Sequence, residues 1–310
     1  MDNELQALYD SVNKAYQTTS NAPNIMQITP DPEIHSKTVE ETSFLSFLRM
    51  KGREESANTS KVSFLEETPG NTASVIAETG DIPDYAVTAY TEYPETMRTI
   101  ATGFKVSFMA QMGTTAADIL QTEISRGYTL VNNKMDYLLL NGDSTNNPLE
   151  FDNVWNDVNT ADNDGDALSE DNIDDLLTTI KGEGGSPDVI VTDSFVAKQL
   201  KKIAAPYRRY NDKVDIGLGF RVITYESLNG RELTILVDEN VPTEGTGASE
   251  THAMLALDSS TIKIKTLLPP SLFDLPSSNL AYNKAVATFT VAHNLAPWKN
   301  GVITGIGAGE

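Results

Sequence analysis

The sequence predicts an α+β fold, and three observations carry that prediction. Ile100, Thr102, Phe104, Val106 and Phe108 alternate at period two, as in a half-buried strand. One apolar stripe (Ala116, Ile119, Leu120, Ile124, Tyr128, Val131, Met135, Leu138 and Leu139) runs at helical spacing through residues 114–141. A helix–strand–helix order between Ser169 and Ile203 then precedes a strand-rich last third, which places an α/β layer inside the mixed fold.

Composition narrows the function. The 310 residues suggest about two domains at roughly 150 residues each. Hydrophobic residues at 39% and charged residues at 22% suffice for a packed core. A net charge of −21 argues against a surface that grips DNA or an anionic membrane all over, and leaves room for one basic face. Without cysteine there is no disulfide framework, thiol nucleophile or thiolate metal site. The acidic start, Met1-Asp2-Asn3-Glu4, is not followed by an apolar h-region, so no secretory signal is expected. No run of 18 apolar residues is present to span a bilayer.

Along the chain, residues 1–35 read as a short helix (Leu5, Leu8, Tyr9, Val12) followed by an extended, proline-bearing arm. So short a helix needs a neighbour to lie on. Thr38-Val39-Glu40-Glu41 fits a capping box ahead of Phe44, Leu45, Phe47 and Leu48, so the spacing predicts a core-facing helix over 38–50. Strands are expected from Lys61 and from Thr99 to Ser107, separated by an excursion from Pro69 to Pro94. No Lys or Arg occurs from Val62 to Met97, where Glu78, Asp81, Asp84 and Glu92 are among the acids. A loop this long inside a compact domain is commonly functional or disordered. One physical solution is an arm packed on another subunit.

The 114–141 stripe predicts a rod of roughly 38 Å, with Thr115 to Asp118 at its cap, Asn141-Gly142 at its end and Gly127 marking close packing or a bend. Ser169 caps a helix with Ile173, Leu176, Leu177 and Ile180 inward. Pro187 to Val191 is a buried strand, and Asp193 caps a second helix with Val196, Leu200 and Ile203 inward. Asn229-Gly230 is a hairpin turn signal between 220–225 and 232–237. Ala253–Leu257, Ile262–Leu267, Ala285–Ala292 and Val302–Ile306 are the remaining strands.

No catalytic constellation emerges. His35, His252 and His293 lie in different segments, no Gly-x-Ser-x-Gly elbow exists, and the glycines at 182–185 lack the Lys-Ser/Thr of a phosphate loop. No cofactor is expected. The acidic loop Asp162-Asn-Asp164-Gly-Asp166 supplies the only metal candidates, Asp162, Asp164 and Asp166. Setting Gly165 at the sixth position of a calcium loop puts Thr160 first and Asp171 twelfth, a poor match, so a solvated loop is the ordinary reading. The dense basic run holds Lys198, Lys201, Lys202, Arg208, Arg209 and Lys213, with Tyr207 and Tyr210 between. A solvated face, a nucleic-acid contact and a seam against a neighbour's acidic stretch at 62–97 or 135–180 are its three readings.

The order of these parts resembles the major capsid protein of tailed double-stranded DNA phages, the Hong Kong 97-like fold. The resemblance rests on the arm, the long extended loop at 59–107 and the long helix. It rests also on Met135-Asp-Tyr-Leu-Leu-Leu-Asn-Gly-Asp143 leading to Pro148, on Ala287-Thr-Phe-Thr-Val-Ala-His-Asn-Leu-Ala-Pro297 and on Gly301-Val-Ile-Thr-Gly-Ile306. It implies an N-terminal arm at 1–35, an extended β-hairpin loop at 59–107 and an axial domain at 166–258. The peripheral domain would comprise 36–58, 108–165 and 259–310 and include a spine helix at 114–141.

By the same resemblance the protein is structural and not an enzyme. Copies would tile into pentamers and hexamers of an icosahedral shell in the virion, assembled in the host cytoplasm and touching packaged DNA only non-specifically. A separate scaffolding protein, a portal and decoration proteins are the further partners it allows, and no membrane is. Inter-subunit contacts would fall to Glu78, Asp81, Asp84, Glu92, Lys198, Lys201, Lys202, Arg208 and Arg209. Some members join a loop lysine to a distant asparagine. Here no lysine lies between Lys61 and Lys105, so no such crosslink is expected. The chain starts almost directly with the arm, which suggests a mature form or a separate scaffold. An encapsulin-like cellular nanocompartment shell is the alternative within the fold, and a soluble enzyme or cation-binding domain is the reading from another class.

Overall fold

The computed structural model describes residues 42–68, 87–113, 118–203, 223–226, 232–246, 250–276 and 280–308, with isolated positions between 69 and 86. The arm at 1–35, the capping box at Thr38–Glu41, Asp81, Asp84, Arg208, Arg209 and the Asn229-Gly230 turn lie outside them.

The chain begins with helix α1 (Ser43–Met50), whose Phe44, Leu45, Phe47 and Leu48 are buried as their spacing predicts. The strands β1 (Glu54–Ser56), β2 (Lys61–Thr68), β3 (Ala89–Thr96) and β4 (Arg98–Ser107) follow. Helix α2 (Phe108–Gly113) then leads to the long helix α3 (Ile119–Asn141). Phe108, expected to extend the alternating strand, starts α2 instead.

Asp118 caps α3, its side chain accepting from Gln121 N at 3.1 Å. The 23 residues of α3 make a rod of about 34 Å. Beyond it come β5 (Asn159–Asp162), α4 (Glu170–Gly182), β6 (Val189–Thr192), α5 (Ser194–Ile203), β7 (Ile223–Glu226) and β8 (Glu232–Val237). The two helix caps are those the sequence predicts: Ser169 Oγ accepts from Asn172 N at 3.2 Å, and Asp193 Oδ1 accepts from Val196 N at 2.9 Å. The chain closes with β9 (Thr243–Glu244), β10 (Thr251–Leu257), β11 (Ile262–Leu275), β12 (Ala281–Asn294) and β13 (Gly301–Ile306).

Among the described residues the strands form three sheets. One is four-stranded, ordered β1-β11-β12-β4, with β1 parallel to β11 and the rest antiparallel. The second runs β5-β13-β10-β6-β8-β7, with β9 also on β10. The third is the hairpin β2–β3. The partner of the Lys61 strand is therefore Ala89–Thr96, most of which lies inside the excursion expected from Pro69 to Pro94. Arg98–Ser107 is hydrogen-bonded to β12 from Arg98 to Ser107.

The second sheet is covered on both faces, because successive side chains of a strand point to opposite sides. On β6 and β10, Ile190, Met254 and Ala256 face a core under α4 and α5. Val189, Val191, Ala253, Leu255 and Leu257 face the other core, which contains α1 and α3. The helix–strand–helix pattern in the sequence is this layer.

Helix α3 lies close against the four-stranded sheet at Gly127. A Cβ there would stand 3.0 Å from Val286 Cγ2, 3.4 Å from Phe104 Cε1 and 3.6 Å from Thr102 Cγ2. Gly127→Ala gains about 1 kcal/mol of helix propensity against a small shift of Val286, so it stays within about 1 kcal/mol of the parent. Gly127→Leu is expected to cost about 2 kcal/mol or more through overpacking. Chemical denaturation of the pair checks this, and an unshifted Gly127→Leu midpoint contradicts the close approach.

Candidate assembly surface

Among the described residues no three His, Asp or Glu side chains gather as metal ligands. The acidic loop is held by its own chain: Asp162 Oδ1 accepts from Asp164 N at 3.2 Å, Gly165 N donates to Gly305 O at 2.7 Å and Gly307 N donates to Asp166 O at 2.9 Å. Asp164 and Gly165 take positive φ to make this turn.

The feature that stands out is the β2–β3 hairpin, tied to the body at one end. Directly opposite residues of an antiparallel pair share a face. The register pairs Val62 with Glu95 and Phe64 with Tyr93, which places these four on one face. That face meets the body at a small apolar root. Phe64 is 4% exposed and its ring stacks on His293 of β12 at 4.7 Å between centroids, with Tyr93 at 6.1 Å from the same imidazole. Val62 and Met97 pack on the core, and Met97 N donates to Ser60 O at 3.0 Å.

The root is dry enough to move the titration of its polar groups. Burial lowers the pKa of His293, partly opposed by Asp152. Burial and then Asp152 raise that of Glu95, with Arg98 opposing. The Tyr93 hydroxyl donates to Glu66 Oε2 at 2.8 Å, and that bond raises its pKa.

Beyond the root the hairpin carries exposed apolar side chains. Leu65 and Tyr90 lie on the face opposite Phe64 and are 64% and 66% exposed. Exposed apolar groups concentrated on one projecting element mark an interaction surface. The sequence-predicted acids Glu78 and Glu92 are exposed on this excursion. Lys198, Lys201 and Lys202 are exposed together on α5, at spacings that place them on one face. Among the described residues no ion pair joins the acidic and basic sets. Phe64, Tyr93 and His293 were invisible to sequence reasoning, because three distant segments build the root and no spacing links them.

A family model described as the SU10 major capsid protein matches residues 12–307. The fold is similar to the capsid of the native GTA particle computed with C5 symmetry, at 13% identity and a TM-score of 0.69 over 94% of this chain and 99% of that one. It is similar to the cyanophage A-1(L) capsid, at 11% identity and a TM-score of 0.69 over 92% and 99%. The holo-SrpI encapsulin complex of Synechococcus elongatus PCC 7942 follows at 11% identity and a TM-score of 0.64 over 94% and 96%. No curated protein matches the sequence. The family match takes in both sheets, the long helix and the projecting hairpin, on an α+β fold shared with Hong Kong 97-like phage capsids; this chain belongs to the SU10 major capsid protein family.

Proposed function

We propose that copies of this chain tile into pentamers and hexamers of an icosahedral shell around a double-stranded DNA genome, with the β2–β3 hairpin laid across the neighbouring subunit. The observation that carries the reading is the hairpin itself. Its Leu65 and Tyr90 are more than half exposed among the described residues, and a second copy would cover them. The stretch from 62 to 97 carries only negative charge, while Lys198, Lys201 and Lys202 offer an exposed positive face on α5. Complementary charge of this kind sets register and association rate. Many modest contacts suffice, because each subunit is held by several neighbours at once, and closed symmetry limits growth. Assembly in the host cytoplasm, non-specific contact with packaged DNA, and a separate scaffold, portal or decoration protein belong to the same reading.

The shell is proposed to hold without a lysine–asparagine isopeptide, since no lysine lies between Lys61 and Lys105 and the tip of the extended loop therefore lacks the donor. Electron microscopy of the expressed chain, alone and with a scaffold, is expected to show isometric particles whose yield falls as salt rises. Denaturing mass spectrometry of those particles is expected to return monomer mass only. Monomers under every condition would reject the shell, and an isopeptide ladder would reject the uncrosslinked form.

The likeness to the SrpI encapsulin favours a second reading, a cellular nanocompartment around a protein cargo. Native particles that contain a protein cargo and no nucleic acid would select it.

A further inference from the structure

Two carboxyl groups meet in the core where α1 begins. Asp136 of α3 and Asp238, just after β8, are both fully buried. Asp136 Oδ1 accepts from Leu45 N at 2.7 Å, and Asp238 Oδ2 accepts from Phe44 N at 3.1 Å. Thr42, the N-cap, makes no side-chain cap bond, and two of the unpaired donors that open every helix, Phe44 N and Leu45 N, are satisfied here by these two acids. Asn240 bridges them, donating through Nδ2 to Asp136 Oδ2 at 2.9 Å and through its backbone N to Asp238 Oδ1 at 3.0 Å. The two carboxyls act on each other, and the charge of Asp238 raises the pKa of Asp136. Two buried anions in contact are not stable together, and one of them keeps a proton.

The surrounding charges do not offset the pair. On α1 the one charged side chain, Arg49, is held by Glu54 and Asn132. On α3, Lys134 pairs with Glu150, and Arg126 with Glu123. At the end of β6, where Asp238 N donates to Thr192 O, Asp193 turns to His252 and Val196 N. On the β8 side the charged neighbours, Glu232 and Glu239, are acids. Among the described residues neither Asp136 nor Asp238 has a cationic partner.

We propose that Asp136 holds a proton at neutral pH and donates it to the Asp238 carboxylate, and that this bond is a pH-released latch joining the start of α1, the long helix and the end of β8. Losing the proton to solvent leaves two buried anions competing for the same donors and frees the start of α1. The inference is independent of the shell reading, since it concerns the stability of the chain itself. Burial first, and then Asp238, push the Asp136 carboxyl up to about 8. An unfolded aspartate titrates near 3.9. Between those values the folded chain binds one proton more than the unfolded chain, so stability contributed by this group is complete below about pH 4 and lost as pH rises through about 8.

The test uses the full chain and Asp136→Asn, a neutral shape-mimic that still accepts from Leu45 N and donates to Asp238. The ratio of the two folding equilibrium constants is expected to shift against the unsubstituted protein by about tenfold per pH unit, so about a hundredfold between about pH 5.5 and 7.5. Parallel pH profiles overturn the proposal. Infrared difference spectra between about pH 6 and about pH 9.5 should show a protonated-carboxyl band that vanishes with base. The band should survive Glu95→Gln, which removes the other carboxyl raised by burial, and be lost in Asp136→Asn. The spectrum of the unsubstituted protein needs no variant, so its lack of the band refutes the latch even if Asp136→Asn fails to fold.

Discussion

Gly142→Ala is expected to destabilise the chain by about 3 kcal/mol or more, a large effect for one methyl group. Gly142 follows the last residue of α3 with φ −63 and ψ 141, a conformation open to any residue, so space and not backbone freedom is what the position demands. A Cβ there would sit 2.1 Å from Phe151 O and 2.6 Å from Leu138 O, both backbone atoms. The crowding has a purpose. A helix leaves its last carbonyls without partners, and the segment after α3 supplies them. Leu139 O accepts from Val154 N at 2.9 Å and Leu140 O from the Trp155 indole Nε1 at 2.6 Å, while Asn153 returns two bonds to Gly142 O, each 2.9 Å. Phe151 and Val154 enter the core with this segment. An added methyl lifts it off the helix end, breaking several bonds at once and opening the core beneath. Urea denaturation checks the expectation, and a Gly142→Ala midpoint matching the parent contradicts it.

Much of this arrangement was legible in the residues. The stripe from Ile119 to Leu139, the alternation from Ile100 to Val106 and the caps at Ser169 and Asp193 are local patterns with local causes, and these elements formed where their patterns lie; Asp118, expected in the first turn of the long helix, is instead its N-cap. What local pattern does not carry is pairing. The Lys61 strand finds its partner at Ala89–Thr96, whose run Ala-Tyr-Thr-Glu-Tyr-Pro-Glu-Thr has exposed residues on both faces and so no apolar alternation to read. Phe108 kept the period of β4 and still turned into a helix, its ring packing edge-on against Tyr282 at 4.4 Å from β12, a contact set by tertiary neighbours. The Asp136–Asp238 pair was hidden for a related reason. Asp136 lies beside the apolar run that ends α3, where an acid reads as solvent-facing, and only the return of β8 across 102 residues of chain reveals its partner. The resemblance to capsid proteins rested on the order of elements, which survives where sequence identity to solved shells has fallen to 11–15%.

The hairpin separates stability of the chain from stability of the assembly, and one variant is expected to split them. Leu65→Asp with Tyr90→Asp alters two side chains that share the outer face of β2–β3 and are more than half exposed. Neither belongs to the root, where Phe64, Tyr93 and His293 make the contact with the body. Exposed substitutions that touch no cap, core or network stay within about 0.5 kcal/mol, so the unfolding curve of the isolated chain should hardly move. In the proposed shell the same two positions are buried against a neighbour, and each contact then carries two desolvated charges in an acidic strip that has no Lys or Arg from Val62 to Met97. Truncating or charging a central aromatic of an interface costs about 2 kcal/mol or more. The loss recurs at every subunit, so multivalent closure amplifies it, and the yield of particles should fall by at least about tenfold. Phe64→Ala is the contrast: it attacks the root, loosens the hairpin from the body and lowers chain stability and assembly together. Particles formed by Leu65→Asp/Tyr90→Asp at the parent's yield and salt tolerance would place the subunit seam elsewhere on the molecule, and a matching collapse of the isolated chain would show that the outer face is covered from within.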